Sequence, residues 1–150
     1  MPLIRPFAAL RPVAEHAADV VAPPYDVLNS EEARQRVAGK PWSFLHISKA
    51  EIDLPEGTDA YDPAVYAKAA ENMQSMIGQG ILMREAAPCY YAYQLVMGEH
   101  VQTGLVAAAS VKDYDSNRIR QHEFTRPANA ADRVRQIAAL HAAAWPVLPA

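Results

Sequence analysis

A single cysteine, Cys89, among 150 residues rules out an intramolecular disulfide and any site built from several thiolates. Its apolar neighbours predict a buried thiol in place of a reactive one. No apolar run approaches the roughly 20 residues of a membrane-spanning helix. The opening Met-Pro-Leu-Ile-Arg-Pro-Phe is broken too early by Pro and Arg to read as a secretory h-region, so the expected location is the cytoplasm. Excess positive charge is also missing. The formal net charge is −3 and the pI about 5.9, which leaves no general basic field for nucleic acid or a membrane surface. Glycine is scarce, at six residues. No Gly-x-x-x-x-Gly-Lys-Ser/Thr loop and no Gly-x-Gly-x-x-Gly fingerprint occurs, which argues against a standard P-loop enzyme or a Rossmann dehydrogenase. A Gly-x-Ser-x-Gly elbow is absent too, and so is His-Glu-x-x-His. His16, His46, His100, His122 and His141 are scattered, and no metal ligands are assigned.

The residues present fit one α+β domain over 1–150, about half of them apolar. Prolines 2, 6, 12, 23 and 24 forbid a long helix at the start, and Leu3–Ile4 and Val20–Ala22 read as short extended pieces. Asn29 or Ser30 caps a helix near 31–38, ended by Gly39 and Pro41. The aromatic and β-branched run from Trp42 to Ser48 predicts a strand. Asp62-Pro63 opens the clearest helix, 63–79. Val65, Ala69, Met73, Met76 and Ile77 fall near helical spacing, and Gly80 stops it. Gly98-Glu99 fits a type II′ turn between two strand-like flanks, a hairpin in a mixed or mainly antiparallel sheet. Asp113–Asn117 reads as a turn, and Arg118–Arg120 as another short strand. A last helix is predicted over 128–143, with Val134, Ile137, Ala138 and His141 near one face.

Two segments carry chemistry. Residues 118–135 hold five Arg against two acidic residues and place His122, Glu123, Thr125 and Arg126 just before Pro127. Pro favours the first helical position, and free N–H groups at a helix start beside guanidinium groups suit a phosphate or carboxylate. The bland alternative is a solvated turn or a cap network. The second segment, Ala22-Pro-Pro-Tyr-Asp-Val27, stiffens the approach to Tyr25 and Asp26. A carboxylate there suits a general base or a metal-bound phosphate, and equally a rigid turn that satisfies its own backbone.

Pro-Leu-Ile-Arg-Pro-Phe, the 22–27 segment, Ser43-Phe-Leu-His-Ile and Asp62-Pro63-x-x-Tyr66 form ordered blocks. Gln102-Thr-Gly-Leu-Val106 and His122-Glu-x-Thr-Arg-Pro127 with Asp132-Arg133 continue them. Together they resemble the N-terminal part of the domain-of-unknown-function 1015 family, a group of cytoplasmic bacterial and archaeal proteins. Its longer members look related to ParB/sulfiredoxin-like free serine kinases through a downstream Asp-Gly-His-His-Arg segment, which this sequence does not contain. The resemblance implies an incomplete nucleotide-dependent, free-serine-like kinase module and a missing C-terminal half. ATP or ADP with Mg²⁺ would be the cofactor and a small molecule the substrate. Arg126 and Arg133 would neutralise phosphate, with His122 and Thr125 as hydrogen-bonding partners. Asp26 or Glu123 would accept a hydroxyl proton or position the metal. The alternative is a non-enzymatic nucleotide- or anion-binding regulatory module. A nucleic-acid role suffers from the acidic balance.

Overall fold

A computed structural model describes residues 3–120 and 127–144. In chain order the elements begin with β1 (Ile4–Arg5), β2 (Leu10–Pro12), α1 (Ala17–Val20), α2 (Ser30–Val37) and α3 (Leu45–Ser48). Next come α4 (Pro63–Gly78), β3 (Leu82–Arg84), β4 (Tyr91–Met97) and β5 (His100–Val106). The last are β6 (Ala108–Ala109), α5 (Val111–Asp115) and α6 (Pro127–Leu140). Among the described residues the strands form two-stranded ladders, β1–β6, β2–β3 and β4–β5, so the fold is α+β. No helix of the described residues is long and apolar enough to cross a membrane.

The chain divides into two compact units. The first takes its described residues from 3–11 and 84–120. Within it β1 pairs antiparallel with β6, Ile4 facing Ala109, and β4 pairs antiparallel with β5 from Tyr91↔Val106 to Met97↔His100. The turn is Gly98-Glu99, with Gly98 at a φ of 61° and Glu99 not in the left-handed region, the pattern of the expected type II′ hairpin. None of the described residues of this unit is buried. Cys89 shares that exposure, contrary to the buried thiol expected from its neighbours. It bridges to Phe7, and its thiol donates to the Ala87 carbonyl at 3.3 Å.

The second unit, 12–83 and 127–144 among the described residues, holds every buried side chain. Ala33, Leu45 and Ile52 form a core cluster, with Ala22, Leu28 and Val37 packed on it. Asn29 starts α2 with a reciprocal capping box: its side chain accepts from Glu32 N–H, and Glu32 accepts from Asn29 N–H, both at 2.8 Å. Asp62 caps α4 by accepting from Ala64 N–H at 2.8 Å, Pro63 takes the first helical position, and Gly80 follows at a φ of 74°. Val65, Tyr66, Ala69, Met73 and Met76 form the buried face of α4.

Four expectations change. Trp42–Ser48 is not a strand: Leu45–Ser48 is helical and runs through Lys49 into a 3-10 turn, Ala50–Asp53. A short apolar run has no decisive period, and the helical form pairs its buried N–H groups locally, Ser48 to Phe44 and Lys49 to Leu45. Val20 ends a helical turn instead of opening a strand. Asp113 lies inside α5, which Ser110 caps, and Arg118–Arg120 form no strand. The helix near 128–143 is Pro127–Leu140, and His141 leaves it at a φ of 51°. Its buried residues are Asp132, Gln136 and Leu140, while Val134 and Ile137 are exposed.

Leu45 is fully enclosed, so Leu45→Ala is expected to cost about 2–5 kcal/mol of stability. Leu105→Ala on β5, where the side chain is 64% exposed, is expected to change stability by less than about 0.5 kcal/mol. Urea unfolding of both variants checks this. Equal losses would refute a core confined to the second unit.

Candidate functional site

A cleft of about 100 Å³ opens in the second unit, between α4, α6 and the segment 45–53. Its polar lining includes Lys49, Glu51, Tyr66, Asp132 and Arg133, with Tyr25 at one side. Ligand pockets commonly enclose some 300–1,000 Å³, so this one is small, with room for a single group of a few heavy atoms.

One wall comes from α6. A spacing of four residues puts Asp132 and Gln136 on the same helix face. Asp132 is only 8% exposed. Its Oδ1 accepts from the Tyr66 hydroxyl at 2.7 Å, and its Oδ2 accepts from Arg133 Nε at 3.0 Å and from Nη2. Burial, and then the Asp132 carboxylate, push the Tyr66 phenol above its ordinary range, so the hydroxyl stays a donor. Arg133 also donates through Nη1 to Gln136, and its guanidinium lies 4.1 Å above the centre of the Tyr25 ring. The stacking fixes the plane of the fork. Each terminal nitrogen carries two hydrogens, and only one on each is used by a partner among the described residues. Gln136 closes this wall onto the segment below by donating to the Ile47 carbonyl at 3.1 Å.

The other wall is the segment 45–53. Glu51, 4% exposed, accepts from the Ser30 hydroxyl at 3.0 Å and pairs with Lys49 Nζ at 2.9 Å. Arg34 on α2 donates to the backbone carbonyls of Glu51, Ile52 and Leu54 at 2.9, 3.3 and 3.1 Å. That clamp sets the turn from which Glu51 projects. The Ser48 hydroxyl is buried and has no partner among the described residues.

Of the residues expected at a site, Arg133 lies in the cleft. Asp26 sits in the 3-10 turn Tyr25–Val27, exposed and outside the lining, although its neighbour Tyr25 is part of it. His122, Glu123, Thr125 and Arg126 lie outside the described residues. Lys49, Glu51 and Tyr66 enter from the fold; the sequence signal for them is weak, because single Lys and Glu residues in a polar stretch are common. No group of three or more His, Cys, Asp or Glu residues among the described ones is arranged to hold a metal ion.

The chain belongs to the family described as "Protein of unknown function (DUF1015)", whose model matches residues 4–150. No curated protein and no solved structure matches it.

Removing the Tyr66 hydroxyl strips Asp132 of one donor in a buried position. Tyr66→Phe is therefore expected to lower stability by about 1–3 kcal/mol. Tyr61→Phe, on an exposed ring in the same cleft, is expected to be near neutral. Thermal unfolding decides between them, and a silent Tyr66→Phe would remove the Tyr66–Asp132 bond from the account of the site.

Proposed function

For this member of the DUF1015 family, we propose that the cleft of the second unit binds a phosphate group and serves phosphoryl transfer to a small hydroxylated molecule. The donor in this reading is ATP or ADP with Mg²⁺, and free serine is the model acceptor, after the ParB/sulfiredoxin-like kinases to which longer members of the family look related. One observation carries the reading: two separate elements bring Lys49 and Arg133 to a single phosphoryl-sized cleft, each held in place by its own carboxylate. Phosphoryl transfer depends mainly on positioning and charge stabilisation, and this arrangement suits the positioning.

The roles follow from the geometry. Lys49 Nζ and the remaining Arg133 N–H groups hold phosphate oxygens, each charge-assisted bond contributing about 1.5–3 kcal/mol. Glu51 stands beside Lys49, where it would accept the hydroxyl proton of the acceptor or help to hold Mg²⁺. Asp26 is better suited to the approach of the metal–nucleotide than to the reacting centre, since it points to solvent on the turn that presents Tyr25. His122, Thr125 and Arg126 are kept as proposed phosphate-binding residues, and Glu123 as a proposed proton acceptor or metal-positioning carboxylate, on their place in the sequence just before α6.

A second reading is binding without turnover. It is favoured by the charge balance of the cleft: Glu51 and Asp132 already offset Lys49 and Arg133, so the net field on a phosphate is small.

Calorimetry with ATP and ADP in Mg²⁺ tests the site. Lys49→Ala and Arg133→Ala are each expected to weaken binding about tenfold or more, one decade per 1.4 kcal/mol. Unchanged affinity in both would overturn the proposal. Mass spectrometry of phosphoserine, after incubation with free serine, separates the two readings. Turnover is expected to be slow, because a cleft of about 100 Å³ holds one phosphoryl-sized group but not two whole substrates. Product that disappears in Glu51→Gln supports transfer, and binding with no product at all supports the second reading.

A further inference from the structure

The segment that carries Lys49 and Glu51 is tied at both ends by one imidazole. His46 lies in α3, and Asp53 ends the 3-10 turn that follows. His46 Nδ1 is 2.9 and 3.0 Å from the two Asp53 carboxylate oxygens, and His46 Nε2 is 3.2 Å from the Lys40 carbonyl. Both neighbours are pure acceptors, so both ring nitrogens must donate, and only the imidazolium does so. A neutral ring would turn a lone pair toward one of them. Asn72 of α4 completes the knot, its amide donating to the His46 carbonyl and to Asp53 Oδ2, each at 2.7 Å. Between the two tied residues lie Ser48, Lys49 and Glu51, all of them lining the cleft.

We propose that His46 is a positioning residue that couples protonation to the affinity of the cleft for an anion: the imidazolium clamps the segment 45–53, and the neutral ring releases it. The ligand half of this inference rests on the phosphate-site reading above; the clamp itself does not.

The charged groups facing the ring are Asp53 from the 3-10 turn and Lys68 from α4, with Lys40 contributing only its carbonyl. The hydrogen bond that the ring donates to Asp53 is the largest influence, and together with the carboxylate's charge it outweighs burial and Lys68, holding His46 above its ordinary 6.5. Burial pushes the Asp53 carboxyl up, but bonds from His46 and Asn72 bring it below 3.8, so Asp53 stays ionised wherever His46 titrates. A histidine raised in the folded state contributes fully below pH 6.5, and its contribution is lost as the pH rises through the folded-state value. The clamp therefore works on the acid side and loosens on the alkaline side. By reciprocity, an anion bound in the cleft should raise the His46 pKa further.

Sulfate is the suitable probe, because its charge stays constant between about pH 5.5 and about pH 8.5, the range in which histidine switches. Calorimetry on the whole chain is expected to give sulfate affinity about fivefold or more weaker at the alkaline end. The near-isosteric Asp53→Asn should flatten that dependence, while His16→Gln should keep it. A second measurement needs no ligand. Amide hydrogen exchange across 45–53, corrected for the intrinsic effect of pH, is expected to show lower protection at the alkaline end in the wild type. Should Asp53→Asn fail to fold, the wild-type His46 ring titration by NMR, with and without sulfate, replaces it, and an upward shift with sulfate is expected. Protection independent of pH, or a His46 titration unmoved by bound sulfate, overturns the coupling. Absence of sulfate binding at either pH, with pH-dependent protection intact, overturns the anion-site reading and upholds the clamp.

Discussion

Two carboxylates withdrawn from water, Glu51 and Asp132, impose the main constraint on the second unit. A buried charge is tolerated only when partners replace its hydration, and removing a partner commonly costs several kcal/mol. Each carboxylate accordingly collects one cation and one hydroxyl: Lys49 and Ser30 for Glu51, Arg133 and Tyr66 for Asp132. Meeting those demands draws in α2 through Ser30, α4 through Tyr66 and α6 through Asp132 and Arg133. The cleft is what remains between groups that had to converge for this reason. Its cations are immobilised by the same pairs that moderate their charge, which favours a ligand read by geometry over one captured by a strong field.

Support for the cleft reaches well beyond its lining. Arg34 holds the end of the 3-10 turn by three carbonyls, those of Glu51, Ile52 and Leu54, and the His46–Asp53–Asn72 knot holds the same segment independently. Neither group has to touch a ligand to matter. Substitutions at these positions would act through the placement of Lys49 and Glu51, so an effect there would not by itself identify a residue that lines the cleft.

Much of the fold was legible in sequence wherever local chemistry decides it. Asp62-Pro63 and Gly80 bracket α4, Asn29 with Glu32 starts α2, and Gly98-Glu99 turns the hairpin, each through a cap or a φ requirement confined to a few residues. The segment 42–48 is not legible in this way, because a short apolar run lacks a period and its helical form follows from contacts with Val20 and Asp53. On α6 the apolar residues pointed to the wrong face. Asp132 and Gln136 are the buried ones, since their partners Tyr66 and the Ile47 carbonyl come from distant parts of the chain. Of the site, Arg133 was found through its cationic neighbourhood. Glu51 and Lys49 were not, because nothing local distinguishes a buried Glu from a solvated one. The spacing of Asp132 and Gln136, four apart on a helix, was the overlooked signal.

The second unit is discontinuous: 12–83 is separated from α6 by the whole of the hairpin region. A ribosome delivers the chain from its N-terminus at about 5–20 residues per second. Tyr66 therefore emerges long before Asp132, and Ile47 long before Gln136, so one wall of the cleft must wait while an intervening unit is made. During that interval α4 presents Val65, Tyr66 and Ala69 without the helix it packs on in the finished fold. A nascent chain halted before residue 132 carries no cleft, because the wall that α6 supplies has not yet been made.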